Sequence, residues 1–145
     1  MSNRQYEFKN EQTRALLACA RERFGDEPEF LWINIPDAAV LRCPETGQWY
    51  ALIMTAPKSS LGAFEDETTE TIDLICDPDE IEKIADEKKI FRGKNMNPRH
   101  WITICTDNSL DTEEILRRLG DSHDFASGKR GTLDAFRCSG WEKSE

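Results

Sequence analysis

The sequence lacks a long apolar run. No stretch approaches the roughly 20 apolar residues that a membrane-spanning helix needs, and residues 1–12 show no basic segment followed by an apolar one, as a secretion signal would. We therefore expect a cytoplasmic protein that does not enter membranes. The five cysteines are far apart, and none forms a C-x-x-C pair or has a nearby histidine in a zinc-like pattern. We expect reduced thiols in and around the core.

Motifs of the common enzyme classes are also missing. The sequence holds two histidines, His100 and His123, and it has no G-x-S-x-G string, no P-loop and no glycine-rich dinucleotide turn. No nucleophile can be paired with a base, and no two carboxylates can be assigned to one pocket. The acidic tip of residues 65–67, with Glu70, is interpreted as a solvated loop rather than a site for a hard cation. The sequence therefore predicts a protein that is not an enzyme, and it indicates no cofactor and no metal.

Acidic residues are present in excess, but the excess is local. The chain carries a net charge of −9 over 145 residues, and residues 65–89 hold 11 acidic side chains against 3 basic ones. From Lys88 to Thr106 there is no acid at all. A negative protein repels a polyanion at long range. The basic stretch would bind one at short range only if the acids lie on another face.

Hydrophobic periodicity and turn residues predict three helices and five strands in one domain of residues 1–126. Residues 127–145 are assigned to a tail or short appended element. Strand 48–56 is apolar on both sides, so we expect it to be central, and Pro44–Gly47 predicts the turn of a hairpin over 38–56. The class is α+β, a two-layer domain with a mainly antiparallel sheet and helices against it, in the order α-β-β-β-β-α-β-α. The predicted elements are helices 5–24, 77–89 and 111–123, strands 30–35, 38–43, 48–56, 70–76 and 100–106, and a loop at 90–99.

Three strings of the sequence resemble the MmcQ/YjbR family over residues 5–126. They are GDEPEFLW (25–32), WYALIM followed by PKSSLG (49–54 and 57–62), and NMNPRHWITI followed by DNSL (95–104 and 107–110). The family string H-M-N-K-x-H-W is matched by Met96, Asn97, His100 and Trp101, whereas Asn95 replaces its usual His and Pro98 its usual Lys. Asp121-Ser122-His123 resembles the family's D-x-S-Y pattern loosely. The resemblance implies a frataxin-like (CyaY-like) or secretion-chaperone-like α+β fold, and DNA binding through a "double-wing" motif.

The candidate binding residues surround the His-Trp pair. In the functional interpretation Trp101 stacks on a base or an apolar partner while basic groups meet phosphate or carboxylate. In the structural interpretation Trp101 lies in the core and Asn97 holds the turn through side-chain-to-backbone bonds. The candidates are Lys88, Lys89, Arg92, Lys94, Asn97, Arg99, His100 and Trp101.

Two functions remain open at this point. The first is a non-enzymatic protein that associates with DNA or another nucleic acid. The alternative is a protein-interaction or adaptor module that binds no nucleic acid and receives a helix in a groove or an added strand. The arrangement of the basic side chains, gathered away from residues 65–82 or scattered among those acids, discriminates between them. The sequence does not indicate an oligomeric state.

Overall fold

A computed structural model describes residues 7–57 and 68–128. Within these ranges five strands form one antiparallel sheet in the order β1-β2-β3-β5-β4. The predicted α+β class, with helices against a mainly antiparallel sheet, is confirmed. The elements are α1 (Glu11–Phe24), β1 (Ala39–Arg42), β2 (Trp49–Pro57), β3 (Thr68–Ile75), α2 (Pro78–Ile84), β4 (Ile90–Arg92), β5 (Trp101–Cys105) and α3 (Thr112–Ala126).

Two predicted elements are corrected by the structure. Residues 30–35 are not a strand, because only Glu29 bridges to Val40 and Trp32 packs edge-on against Trp49. Residues 90–92, predicted as loop, instead pair with β5 as edge strand β4. One of the five strands therefore follows α2 rather than preceding β1. Most of the predicted tail, residues 129–145, lies outside the described residues, as does Cys138.

Two predicted helices are shorter than their periodicity indicates. Helix α1 begins at Glu11 because the Glu70 carboxylate accepts the N–H groups of Lys9 (2.5 Å) and Asn10 (3.1 Å), which holds the preceding chain extended. Helix α2 ends at Ile84, where Ala85 adopts an extended conformation. The predicted stop at Gly25 is confirmed by its left-handed φ of 75°.

One face of the sheet is apolar and meets α1 and α3. The register sets Ile72 beside Ile104 and Leu74 beside Ile102, and all four side chains are buried. The Thr13 hydroxyl of α1 contacts the Thr106 hydroxyl at 2.7 Å at the end of this face. Of the predicted stripe of α3, Ile115 and Leu119 are fully buried, whereas Leu116 and His123 are partly buried. Removal of this apolar area from water is the main force that assembles the domain.

The predicted hairpin is confirmed, with an irregularity in β2. Its pairing with β1 shifts by one residue after Leu41, so that Tyr50 has no register partner there. The Ser122 hydroxyl of α3 accepts the Ile75 N–H at 2.8 Å and donates to the Tyr50 carbonyl at 2.6 Å. This hydroxyl thus bridges β2 and β3 beyond their last paired residues, where backbone groups would otherwise be buried without partners.

Candidate functional site

Residues 93–100, here called the signature loop, connect β4 to β5 and fold over the second face of the sheet. The Asn97 carbonyl accepts the N–H groups of His100 (3.1 Å) and Trp101 (3.0 Å), and its side-chain oxygen accepts the Arg99 N–H at 2.9 Å. The structural interpretation of Asn97, that its side chain holds the turn, is confirmed.

Trp101 lies in the core with 0% of its surface exposed. The functional interpretation, in which its ring stacks on a base, is therefore wrong for this conformation. A Cβ added at Gly93 would lie 2.9 Å from the Met96 carbonyl oxygen and 3.2 Å from the Trp101 Cβ. Glycine at this position lets the loop approach the tryptophan closely, and Met96 is buried beside it.

A buried carboxylate, Asp73, lies beneath the signature loop at the centre of the sheet. Its Oδ1 accepts the Thr103 hydroxyl at 2.9 Å, and its Oδ2 accepts the Asn95 N–H at 3.3 Å. The Lys94 N–H in turn donates to the Thr103 hydroxyl oxygen at 2.8 Å. Burial raises the pKa of Asp73 to about 7, although the hydrogen bonds from Thr103 and Asn95 act in the opposite direction.

The predicted basic residues do not gather into a patch free of acids. Arg92 lies 3.3 Å from Glu82 and 3.6 Å from Glu87, and Lys94 lies 3.5 Å from Glu87. These acids belong to α2 and to the turn that follows it, so part of the local positive charge is neutralised. Lys88, Lys89 and Arg99 are exposed, and they form no ion pair within the described part of the chain.

Lys88 and Lys89 are carried by a rigid turn between α2 and β4. The Asp86 carboxylate accepts the backbone N–H groups of Lys88 (2.9 Å), Lys89 (2.9 Å) and Ile90 (3.1 Å). These bonds, that of Lys89 first, lower the pKa of Asp86 to about 2. The turn holds Glu87 at a φ of 57°.

Both outer strands have main-chain groups that are already occupied. On β4, Asp86 accepts the Ile90 N–H and Glu87 accepts the Arg92 N–H at 3.0 Å, while the Ile90 carbonyl accepts two further N–H groups. On β1, Val40 exchanges hydrogen bonds of 2.9 and 3.0 Å with Glu29. Strand addition needs a free row of such groups. These edges therefore do not favour an added strand.

A cleft of about 440 Å³ separates α2 from the signature loop. Its wall combines apolar side chains with charges of both signs. The lining residues are Pro78, Asp79, Ile81, Glu82, Arg92, Pro98 and Arg99. His100 follows the lining residue Arg99 in the sequence and is half-buried. Burial lowers its pKa, and the positive charge of Arg99 lowers it by a smaller amount.

Helix α2 is fixed in place at its start and against α3. Asp77 caps it by accepting the Asp79 N–H at 2.9 Å, as the Asp-Pro-Asp-Glu string predicts. The Arg118 side chain, from a residue only 6% exposed, reaches from α3 to Glu80 at 3.2 Å and to Glu114 at 3.0 Å. The cleft therefore has one wall that is held by a buried guanidinium.

The described residues show no cluster of three side chains suited to a metal ion and no helix long and apolar enough to cross a bilayer. Glu70, the inner member of the predicted acidic tip, is buried and bonded to the chain before α1. Residues 65–67 lie outside the described ranges. Within residues 7–57 and 68–128 four cysteines are not in a disulfide, with Cys43 and Cys76 buried and Cys19 and Cys105 partly buried.

Comparison with known proteins assigns the chain to a family. The family model described as YjbR matches residues 22–125. The chain belongs to the YjbR family. It is 28% identical over 102 residues to the uncharacterised protein YyaQ of Bacillus subtilis, a match that covers 70% of this chain and 86% of YyaQ.

Solved structures agree with the YjbR assignment. The crystal structure of a Pseudomonas syringae protein is 29% identical, with a TM-score of 0.75, and the match covers 81% of this chain and 99% of that one. A solution structure of a protein from the same organism is 28% identical, with a TM-score of 0.71, and the match covers 79% of this chain and 91% of that one. A Deinococcus radiodurans protein shares only the fold, at 21% identity and a TM-score of 0.61, with coverage of 86% and 84%.

Several residues that carry the YjbR resemblance have structural roles inside the fold. Met96 and Trp101 are core residues, Asn97 holds a turn, and Ser122 bridges two strands. Sequence reasoning missed Asp73 as a candidate. The available signal was a charged residue in the middle of the apolar strand ETIDLIC.

Proposed function

We propose that this YjbR-family domain is a non-enzymatic binding module that recognises a protein partner through the cleft between α2 and the signature loop. The observation that carries the proposal is the wall of the cleft. Ile81, Pro78 and Pro98 supply apolar surface, while Asp79 and Arg99 bring charges of opposite sign. An apolar centre with a polar rim is the usual anatomy of a protein–protein interface.

Charge balance supports a protein partner over a polyanion. Residues 77–100 carry six acidic and six basic side chains, so this segment has no net charge. Duplex DNA presents one phosphate charge per roughly 1.7 Å of axis and is bound by a surplus of Lys and Arg. This segment has no such surplus, and two of its six basic side chains, Arg92 and Lys94, are paired with its acids.

The occupied sheet edges support a particular mode of binding. Because Val40 and Ile90 already use both outward backbone groups and Arg92 uses its N–H, recognition by strand addition is disfavoured. A helix or loop that lies in the cleft needs no such groups. The partner we propose therefore presents side chains to the cleft, with an acidic group toward Arg99 and a basic group toward Asp79.

Site-specific photo-crosslinking in cells tests the proposal. A benzophenone amino acid placed at Pro98 should give one discrete protein adduct, and the adduct should disappear when Arg99→Glu is added. Lys83→Glu is the matched control, since Lys83 is exposed on α2 but does not line the cleft. The same probe at Glu22, exposed on α1, should give no such adduct. Equal adducts at both positions, or an adduct indifferent to Arg99→Glu, would contradict the proposal.

Nucleic-acid association is the second candidate, and one observation favours it. Lys88, Lys89 and Arg99 are exposed, and they are not ion-paired within the residues that the structure describes. Fluorescence anisotropy with a labelled duplex at low salt measures this directly. Binding that weakens steeply with salt and is lost in Lys88→Glu/Lys89→Glu would establish the nucleic-acid function and displace the protein-partner proposal.

A further inference from the structure

Asp73 is an ionisable group sealed beneath one wall of the cleft. It is 0% exposed on β3, the central strand of the sheet. The signature loop reaches it directly through the Asn95 N–H and indirectly through Lys94 and Thr103. The same loop continues within a few residues to Pro98 and Arg99, which line the cleft.

Asp73 is the acceptor in the hydrogen bonds that surround it. The Lys94 N–H donates to the Thr103 oxygen, so the Thr103 O–H is available to donate to Asp73. These bonds favour the carboxylate, whereas complete burial favours the neutral acid, and burial is the larger of the two effects. An isolated buried carboxylate is costly unless a cation accompanies it.

No cation accompanies Asp73 within the described ranges. Its pKa is set by burial and by hydrogen bonds from Thr103 and Asn95, with no charged side chain contributing. Its register neighbours are the neutral Leu52 on β2 and Thr103 on β5. The charged and titratable side chains of the loop do not contribute to the pKa of Asp73. Lys94 is paired with Glu87, Arg99 is exposed, and His100 is half-buried with a lowered pKa.

We propose that Asp73 makes the seating of the signature loop pH-dependent, the neutral acid keeping the loop closed and the carboxylate favouring a loop that opens to admit water. The reason is linkage. A carboxyl that holds its proton more tightly in the closed state than in the hydrated open state stabilises the closed state on the acid side. As pH rises through neutrality, that preference is lost.

The consequence for the cleft rests on the proposed function. With the loop closed, Pro98 and Arg99 line the cleft opposite α2 and the cleft is preformed. With the loop open, a partner would have to order it on binding, which lowers the apparent affinity. Partner binding would then be tighter below neutral pH than above it.

Hydrogen exchange by NMR tests the inference without any partner. Protection factors of the Lys94 and Asn95 amides should lie below that of Ile104 and fall about tenfold between pH 6 and pH 8, as linkage through this carboxyl requires. In Asp73→Asn, whose side chain is permanently neutral, they should not change over that range. A titration of the Asp73 carboxyl carbon in the unmodified protein needs no variant and should show ionisation near neutrality.

The outcomes separate the inference from the proposed function. A carboxyl that ionises near neutrality while the Asn95 amide keeps the same protection would overturn the inference, as would a carboxyl already ionised at pH 5. If both NMR results are as expected but no adduct forms at position 98, the protein-partner proposal fails and the pH-dependent loop stands.

Discussion

The two faces of the sheet are made from the same strands but from different chemistry. On the face that meets the helices, Ile72, Leu74, Ile102 and Ile104 form a continuous apolar layer. On the face beneath the signature loop, Asp73 and Thr103 lie side by side and bind backbone groups of the loop. The first face is stabilised by burial of area, which tolerates approximate fit. The second depends on individual hydrogen bonds, each of which fails if one partner changes.

Of the two faces, the loop-covered one is the better candidate for function. An apolar layer under helices explains why the chain folds, and it offers no chemistry to a ligand. The polar pair Asp73 and Thr103 under the loop has no equivalent structural necessity, since leucine or valine would fill the same space. We infer that the loop-covered face is where this chain departs from what stability alone requires.

The largest expected effect lies on the helix-covered face. Ile104→Ala should lower the free energy of unfolding by about 2–5 kcal/mol, because a fully buried side chain leaves a cavity. Urea denaturation measures the change. Ile33→Ala, at a residue 95% exposed, is the control and should change stability by less than about 0.5 kcal/mol. Similar losses in the two variants would contradict the assignment of this face to the core.

The next effect distinguishes the loop-covered face by its pH dependence. Asp73 has a pKa of about 7 in the folded protein and an ordinary value of 3.8, so between these values the native state binds the extra proton. Stability is therefore greatest on the acid side and should fall by about 2–3 kcal/mol from pH 5 to pH 8 through this group. Subtracting the curve of Asp73→Asn removes the contributions of other residues. Parallel curves for the two proteins would show that Asp73 is not the titrating group.

A smaller effect is expected at the junction between sheet and helix. Ser122→Ala removes the hydroxyl that serves the Ile75 N–H and the Tyr50 carbonyl, and we expect a loss of about 1–2 kcal/mol. Ser127→Ala, near the end of the same helix and only partly buried, should cost a few tenths at most (about 0.3 kcal/mol). Thermal denaturation compares them. An unchanged midpoint for Ser122→Ala would mean that β2 and β3 close without its help.

A double substitution beside two of the basic residues should change stability least, and it tests the nucleic-acid function. Glu82→Gln with Glu87→Gln removes the acids beside Arg92 and Lys94, and exposed ion pairs of this kind contribute less than about 1 kcal/mol. The net charge of the segment rises by two. If anisotropy detects no duplex binding at low salt even in this variant, the nucleic-acid function is contradicted. Binding that appears only in this variant would show that the acids prevent it in the natural chain.

The sequence predicted the elements whose signals are local. The hairpin turn with Gly47, the cap at Asp77 and the stop at Gly25 each depend on a few neighbouring residues, and all three are confirmed. The strand 30–35 was wrong because its apolar residues pack individually instead of pairing, and β4 was missed because three residues give no period.

The candidate site was less accessible to sequence reasoning, for a physical reason. The acids beside Arg92, Glu87 and Glu82, lie 5 and 10 positions before it in the sequence. The hydrogen bond from Thr103 to Asp73 joins residues 30 positions apart. The turn after α2 brings Glu82 and Glu87 to Arg92, and the register of β3 with β5 brings Thr103 to Asp73. Sequence reasoning left two interpretations of Trp101 open, one at the surface and one in the core, and its burial decides for the core.

The carboxylates that occupy the margin of β4 also bear on how copies of this chain behave when concentrated. A bare outer strand is a template on which another molecule can extend the sheet, and the process repeats into an aggregate. Here Asp86 and Glu87 already bind the Ile90 and Arg92 amides, and the pKa of Asp86 is about 2, so it stays charged in mild acid. A solution of this protein should therefore resist sheet-to-sheet polymerisation from that side even where its net charge approaches zero.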